Sequence, residues 1–147
     1  MNRRTFLLAA TLAALFGRAE AAPPLVEVYK SATCGCCNDW IRHLRANGFE
    51  VRATDVREPG ELRRRYGIPD ALGSCHTARV GGYTIEGHVP AREIQRLLKE
   101  RPDAVGLSVP GMPVGSPGME AGPRLDPYDV LLVGRDGRPR VYARYGK

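Results

Sequence analysis

Apolar and polar positions alternate along Val26-Glu27-Val28-Tyr29, the period-two pattern of a strand with one buried face. The period then changes. Cys37, Trp40, Ile41 and Leu44 fall at i, i+3, i+4 and i+7, which predicts a helix from Asn38 to Ala46 with one apolar stripe. Asn47-Gly48 closes it, because glycine accepts the left-handed conformation that ends many helices. Phe49 to Val56 reads as a second strand, and Pro59 to Tyr66 as a short basic helix that stops before Gly67-Ile68-Pro69. His76 to Val80 and Tyr83 to Val89 read as two strands joined through Gly81-Gly82, a two-residue hairpin turn. A third helix starts at Pro90 or Ala91, buries Ile94, Leu97 and Leu98, and ends at Pro102.

This order of strand, helix, strand, helix, strand, strand, helix predicts an α/β fold of thioredoxin-like type, a mixed sheet flanked by helices. A right-handed crossover makes its first two strands parallel. Beyond residue 100 the pattern breaks down, with seven of the 12 prolines and eight of the 17 glycines. Gly106 to Pro127 is expected to be mostly loop. Tyr128 to Val133 and Arg140 to Tyr145 predict a terminal hairpin around Arg135-Asp136-Gly137. Residues 22–147 are thus expected to form one domain, with a loop-rich C-terminal extension ending in that hairpin. A loop of this length inside a compact domain usually carries function.

The first 21 residues read differently. Asn2-Arg3-Arg4-Thr5-Phe6-Leu7-Leu8 opens with two arginines, an apolar run follows to Phe16, and Ala19-Glu20-Ala21 offers small residues two apart. This is the layout of an export signal, too short in its apolar part to span a bilayer. Arg-Arg before Thr-Phe-Leu resembles a twin-arginine signal, although the general secretory route also uses basic starts. Either route delivers the chain to the bacterial periplasm, with no stable membrane insertion of residues 22–147. Thiols there tend to oxidise unless a metal or a reductase protects them.

Charge excludes one class of partner. The whole sequence carries 22 Lys and Arg against 16 Asp and Glu, a net +6. Without Arg3, Arg4, Arg18 and Glu20 the balance is +4. No basic face with interleaved aromatics appears, so nucleic-acid binding is not expected. Arg63-Arg64-Arg65 reads as the solvated side of a helix.

The chemistry lies in the four cysteines, Cys34, Cys36, Cys37 and Cys75. Three of them sit within four residues, between a strand and a helix. Unpaired N–H groups and a partial positive charge at a helix N-terminus favour thiolate over thiol. Thiolates serve both disulfide exchange and metal binding, so placement alone does not choose. Cys34 and Cys37 have the Cys-x-x-Cys spacing of thiol–disulfide oxidoreductases, with Cys34 as nucleophile and Cys37 as resolving thiol. Exchange needs only two thiols, however, and Cys36 is a third. Cys36 and Cys37 diverge by about 100° on a helix, too far to share one tetrahedral ion easily but apt for bridging several. Soft sulfur donors select Cu(I), zinc or iron–sulfur. Paired zinc knuckles and wider iron–sulfur spacings are missing here. Cys75, at the leading end of the third strand, is expected to face the other three. Two ordinary disulfides and a passive metal store remain alternatives.

The remaining candidate ligands rank lower. His43 lies beside the apolar stripe and is expected to be solvated. Alternation along a strand would turn His76 away from Cys75, making it a structural residue. His88, just before the third helix, suits either role. Met112 and Met119 bracket the Gly- and Pro-rich loop and read slightly better as flexible gap fillers than as Cu(I) ligands.

Four separated segments carry a resemblance. They are Cys34-Gly35-Cys36-Cys37 with Trp40; Ser74-Cys75-His76-Thr77-Ala78; Gly82-Tyr83-Thr84-Ile85-Glu86-Gly87-His88-Val89-Pro90-Ala91; and Gly106-Leu107-Ser108-Val109-Pro110-Gly111-Met112-Pro113 with Gly115-Ser116-Pro117-Gly118-Met119-Glu120. Together they closely resemble the CopG-type copper-resistance family, over almost all of the chain from about Leu25 onward. The resemblance implies a periplasmic, thioredoxin-like protein of bacterial copper handling. It implies copper ions held by Cys34, Cys36, Cys37 and Cys75, as a multinuclear cluster with interchange between Cu(I) and Cu(II). Other periplasmic copper-handling proteins are the partners it implies. Thioredoxin-like enzymes hold a cis-proline before the third strand. Cys75 occupies that neighbourhood here, which argues for metal over disulfide exchange.

Overall fold

A computed structural model describes residues 21–146. The expected export signal lies outside the described residues, apart from its last residue, Ala21. The elements run β1 (Leu25–Lys30), α1 (Gly35–Ala46), β2 (Glu50–Asp55), α2 (Pro59–Arg65), a 3-10 turn (Asp70–Leu72), β3 (His76–Val80), β4 (Tyr83–Glu86), α3 (Ala91–Glu100), β5 (Gly106–Ser108), β6 (Tyr128–Val133) and β7 (Pro139–Tyr145). All seven strands form one mixed sheet in the order β2-β1-β3-β4-β5-β6-β7. β1 pairs parallel with β2 and β4 with β5, and the other neighbours are antiparallel. This is the expected α/β class, and the order β2-β1-β3-β4 is compatible with a thioredoxin-like arrangement.

Three boundaries differ from the sequence expectation, and each bears on the site. α1 begins at Gly35 rather than Asn38, so Cys36 and Cys37 lie in its first turn and Cys34 is its N-cap. β4 stops at Glu86, because Gly87 turns the chain at φ +73°. β5 falls inside the stretch expected to be loop. Its three residues give no periodic signal, yet all are buried. A Cβ at Gly106 would lie 1.7 Å from the Thr84 carbonyl oxygen, so only glycine lets β5 approach β4 this closely. Through β5 the terminal hairpin joins the main sheet instead of hanging from it.

The sheet and helices close on one core. Val26 and Val28 of β1, Trp40 and Leu44 of α1, Ile85 of β4, Ile94 and Leu97 of α3, Leu107 of β5 and Val130 of β6 are fully buried. Each such side chain contributes roughly 1.5–3 kcal/mol of hydrophobic stabilisation. The Trp40 indole N–H donates to the Val89 carbonyl at 2.8 Å, tying α1 to the segment that leads into α3.

His43 corrects an expectation. It is not a solvated side chain: it is half-buried, and its Nε2 accepts the Ala91 N–H at 3.0 Å. Pro90, the N-cap of α3, offers no side-chain cap, and the imidazole of α1 fills that role. Acceptance requires a neutral ring. Burial lowers the His43 pKa from its ordinary value, with Glu120 opposing. A lowered folded pKa gives stability that is complete above the unfolded value of about 6.5 and is lost as pH falls below it. A His43→Leu variant is therefore expected to be less stable than the parent at pH 8, by about 1 kcal/mol. The gap should narrow at pH 5. Urea midpoints of both proteins at the two pH values check this.

Candidate metal centre

The first turn of α1 supplies three of the four sulfurs. Cys34 has extended backbone angles and no side chain capping the helix, and no acidic residue occupies the first turn. The turn's free N–H groups thus lie next to sulfur rather than carboxylate. Cys34 and Cys36 are half-buried and Cys37 is fully buried, on the core face with Trp40 and Ile41. Cys34 and Cys37 are joined in a disulfide, and Cys36 and Cys75 are free thiols. Two ordinary disulfides are therefore not what this structure contains. Cys36 Sγ lies 3.6 Å from Cys34 Sγ and 3.9 Å from Cys75 Sγ, and Cys37 Sγ lies 3.7 Å from Cys75 Sγ. All four sulfurs fall within 4.8 Å of one another. The expected convergence of Cys75 on the other three is what the fold produces.

The structure adds two histidines to this group. His76 was expected to face away from Cys75, but its Nδ1 lies 3.3 Å from Cys75 Sγ. The alternation rule fails because Cys75 is in a bend and β3 begins only at His76. His88 Nε2 lies 3.1 Å from the same sulfur. Cys75, His76 and His88 thus form a second group of close donors.

Hydrogen bonding fixes the ring tautomers. His88 Nδ1 is 2.7 Å from the Pro117 carbonyl, which can only accept, so Nδ1 carries the hydrogen. Nε2 is left with its lone pair toward Cys75, the orientation a metal-ligating imidazole needs. His76 is fully buried, and its Nε2 has no hydrogen-bond partner. An orphaned lone pair costs less than an orphaned N–H, which assigns the hydrogen to Nδ1, donated to Cys75. Burial pushes the Cys75 thiol up to about 12, with Cys36 adding to it. Burial also pulls His76 down to about 3, with His88 adding to it, and lowers His88. Cys75 keeps its proton in this state and donates it to His88 Nε2. The buried rings are neutral, which is the ligand form of imidazole.

A buried carboxylate braces Cys75 from behind. Glu86 is fully buried, accepts the Ser74 N–H at 2.7 Å and accepts the Thr77 hydroxyl at 2.7 Å, one bond on either side of Cys75-His76. Arg63 lies 3.5 Å from Glu86 and 2.6 Å from Asp70. This corrects the reading of Arg63 as part of a solvated face: its side chain is 14% exposed, against 54% for Arg64. Burial raises the Glu86 pKa, and the bonds from Thr77 and Ser74 and the Arg63 charge oppose that rise. Neither Glu86 nor Arg63 was singled out from sequence. The sequence shows Glu86 only as an acidic residue in an otherwise uncharged strand, and the structure shows that every position of that strand is buried.

The C-terminal loop covers the cysteine turn. Gly111 N–H donates to the Gly73 carbonyl, and the Ser74 hydroxyl donates to the Gly111 carbonyl, so the loop is pinned beside Cys75. Gly118 has φ +87°, and a Cβ there would lie 2.7 Å from Trp40 N and 2.9 Å from the Cys36 carbonyl oxygen. Gly118→Ala is expected to cost about 1–3 kcal/mol by backbone strain alone, read as a lowered urea midpoint. Met112 does not plug an apolar gap, since it is 52% exposed, whereas Met119 is half-buried.

Comparison with known proteins matches this geometry to a family. A family model described as a protein of unknown function, DUF411, matches residues 72–119. A solved structure of copper resistance protein CopG, form 2, is 50% identical, with a TM-score of 0.80 over 84% of this chain and 98% of that one. The chain belongs to the CopG copper-resistance family. A second CopG structure, form 1, is 49% identical, with a TM-score of 0.80 over 85% of this chain and 99% of that one. No curated protein sequence matches. In this CopG-family chain the DUF411 region holds Cys75, His76, Glu86, His88 and Gly118 but not Cys34, Cys36 or Cys37. The two halves of the site therefore come from different parts of the chain. Sulfur and neutral imidazole at this spacing form a soft donor set that fits Cu(I). Among the described residues no helix is long and apolar enough to cross a membrane.

Proposed function

We propose that this CopG-family chain is a periplasmic copper-binding protein of bacterial copper resistance. It takes copper as cargo through the thiolates of Cys34, Cys36, Cys37 and Cys75, as a multinuclear cluster that interchanges Cu(I) and Cu(II). The single observation that carries this reading is the convergence of four sulfurs within 4.8 Å, with Cys75 arriving from a separate part of the chain. The relatives named copper resistance protein CopG support the choice of metal. His88 Nε2, whose lone pair faces Cys75, offers a further donor to the same ions. Export by the N-terminal segment places the protein beside other periplasmic copper-handling proteins, its partners in passing metal on.

The test is an anaerobic titration of the fully reduced chain with Cu(I) against a competing chelator. More than one copper per chain, with thiolate-to-metal absorbance rising over the whole titration, is the expected result. A plateau at one ion or none overturns the cluster. One observation favours a second reading, thiol–disulfide oxidoreductase: the bonded pair has a half-buried Cys34 and a fully buried Cys37. A disulfide-reductase assay on the same preparation separates the two.

A further inference from the structure

Two arginines far from the cysteines converge on one cavity. Arg101 ends α3, and Arg135 lies in the turn between β6 and β7. With Asp103 and the Gly81-Gly82 turn they line a cavity of about 350 Å³. β3 begins next to Cys75 and ends at Val80, so this cavity sits at the opposite end of β3 from the copper site. We propose that it binds a phosphate monoester, whose dianionic group is held between the two guanidiniums. This site needs no metal and stands apart from the copper reading.

Both guanidiniums are anchored. Among the described residues Arg101 alone has positive φ without being glycine, at +51°. It closes α3 in the left-handed conformation that glycine adopts with less strain. The side chain accounts for an arginine there. Its Nη1 donates to the Gly81 carbonyl at 2.6 Å, and its guanidinium carbon lies 4.8 Å from the centre of the Tyr83 ring. Tyr83 is fixed in turn, because its hydroxyl donates to the Pro102 carbonyl at 2.7 Å. Arg135 has a different anchor: its Nε donates to the Asp103 carboxylate at 3.0 Å.

Each anchor uses one guanidinium nitrogen and leaves the others for a ligand. Nε and Nη2 of Arg101 and both terminal nitrogens of Arg135 have no protein acceptor among the described residues. A guanidinium fork matches two oxygens of a phosphate or carboxylate at once. Two forks against the single carboxylate of Asp103 leave the cavity net positive, which favours a dianion over a monoanion. The cavity is larger than a phosphate group, so the alcohol part of an ester has room. Arg101, Asp103 and Arg135 are all exposed, so a ligand reaches them from solvent without rearrangement. A clasp between α3 and the β3–β4 turn would need only the bond from Arg101 to Gly81. It would not need a second guanidinium on the same cavity.

Isothermal titration of the metal-free chain with glycerol phosphate near pH 8 tests this, since phosphate monoesters are dianions there. Sodium chloride holds the ionic strength constant. Saturable binding of one ester per chain is expected, at least as tight as that of inorganic phosphate. Arg101→Gln and Arg135→Gln should each weaken it at least tenfold. Arg101→Gly suits the left-handed backbone, so this variant keeps the fold and should show the same loss. Arg65→Gln removes an equal charge from the exposed end of α2 and should bind like the parent. Absence of saturable binding overturns the proposal. So does parental affinity in Arg101→Gly or Arg135→Gln, or an ester that fails to bind where inorganic phosphate does. An equal loss in Arg65→Gln also overturns it, because the binding would then be general attraction to a positive chain. None of these readouts involves a cysteine, so the copper reading and this one can fail separately.

Discussion

Replacing Cys36 with serine is expected to reduce copper binding from several ions per chain to at most one. Cys36 is the sulfur between the others, 3.6 Å from Cys34 and 3.9 Å from Cys75, and is therefore the natural bridge. A serine hydroxyl is a hard, neutral donor at ordinary pH and does not bridge Cu(I). The fold should survive, because Cys36 is half-buried and lies outside the apolar core. Copper titration and thiolate-to-metal absorbance should fall together while the thermal midpoint of the metal-free protein stays within a few degrees. Cys34–Cys37 remains intact in this variant, so any exchange activity of that pair should persist. Unchanged copper stoichiometry, with robust reductase activity in the parent, would overturn the copper reading in favour of the oxidoreductase.

Glu86→Ala should produce the largest loss of stability at the site. The substitution leaves the Ser74 N–H, the Thr77 hydroxyl and the Arg63 guanidinium without their shared acceptor in a buried position. Each buried donor left without a partner costs about 1–3 kcal/mol, and Arg63 keeps only its bond to the exposed Asp70. Glu86→Gln keeps an acceptor for Ser74 and should lose markedly less. Urea denaturation of the metal-free proteins measures the difference. Equal midpoints for the parent and Glu86→Ala would show that this brace contributes nothing.

The segments that were legible in the sequence are those whose signals are local. The stripe of Cys37, Trp40, Ile41 and Leu44 announced α1, because helix periodicity needs only neighbours three and four residues away. Gly81-Gly82 announced the β3–β4 hairpin, since both residues adopt positive φ. The four cysteines were legible as one chemical group from residue type and spacing. The resemblance to the CopG-type family rested on the same segments.

What the sequence concealed depends on partners far along the chain. His43 looked solvated because its acceptor role is defined by Ala91, 48 residues on. Arg63 looked like one of three surface arginines because its partners, Asp70 and the buried Glu86 of β4, lie outside its own helix. β5 is three residues long, too short for any period, and exists because β4 and β6 hydrogen-bond it from both sides. His76 joined the site only because Cys75 stops one residue short of β3, where strand alternation does not yet apply. Sequence thus determined which sulfurs are present and that a helix N-terminus carries three of them. Tertiary structure decided which imidazoles meet Cys75, which carboxylate holds it and which bond is closed. Those contacts are set by distances of a few ångströms between segments whose separation the local pattern does not encode.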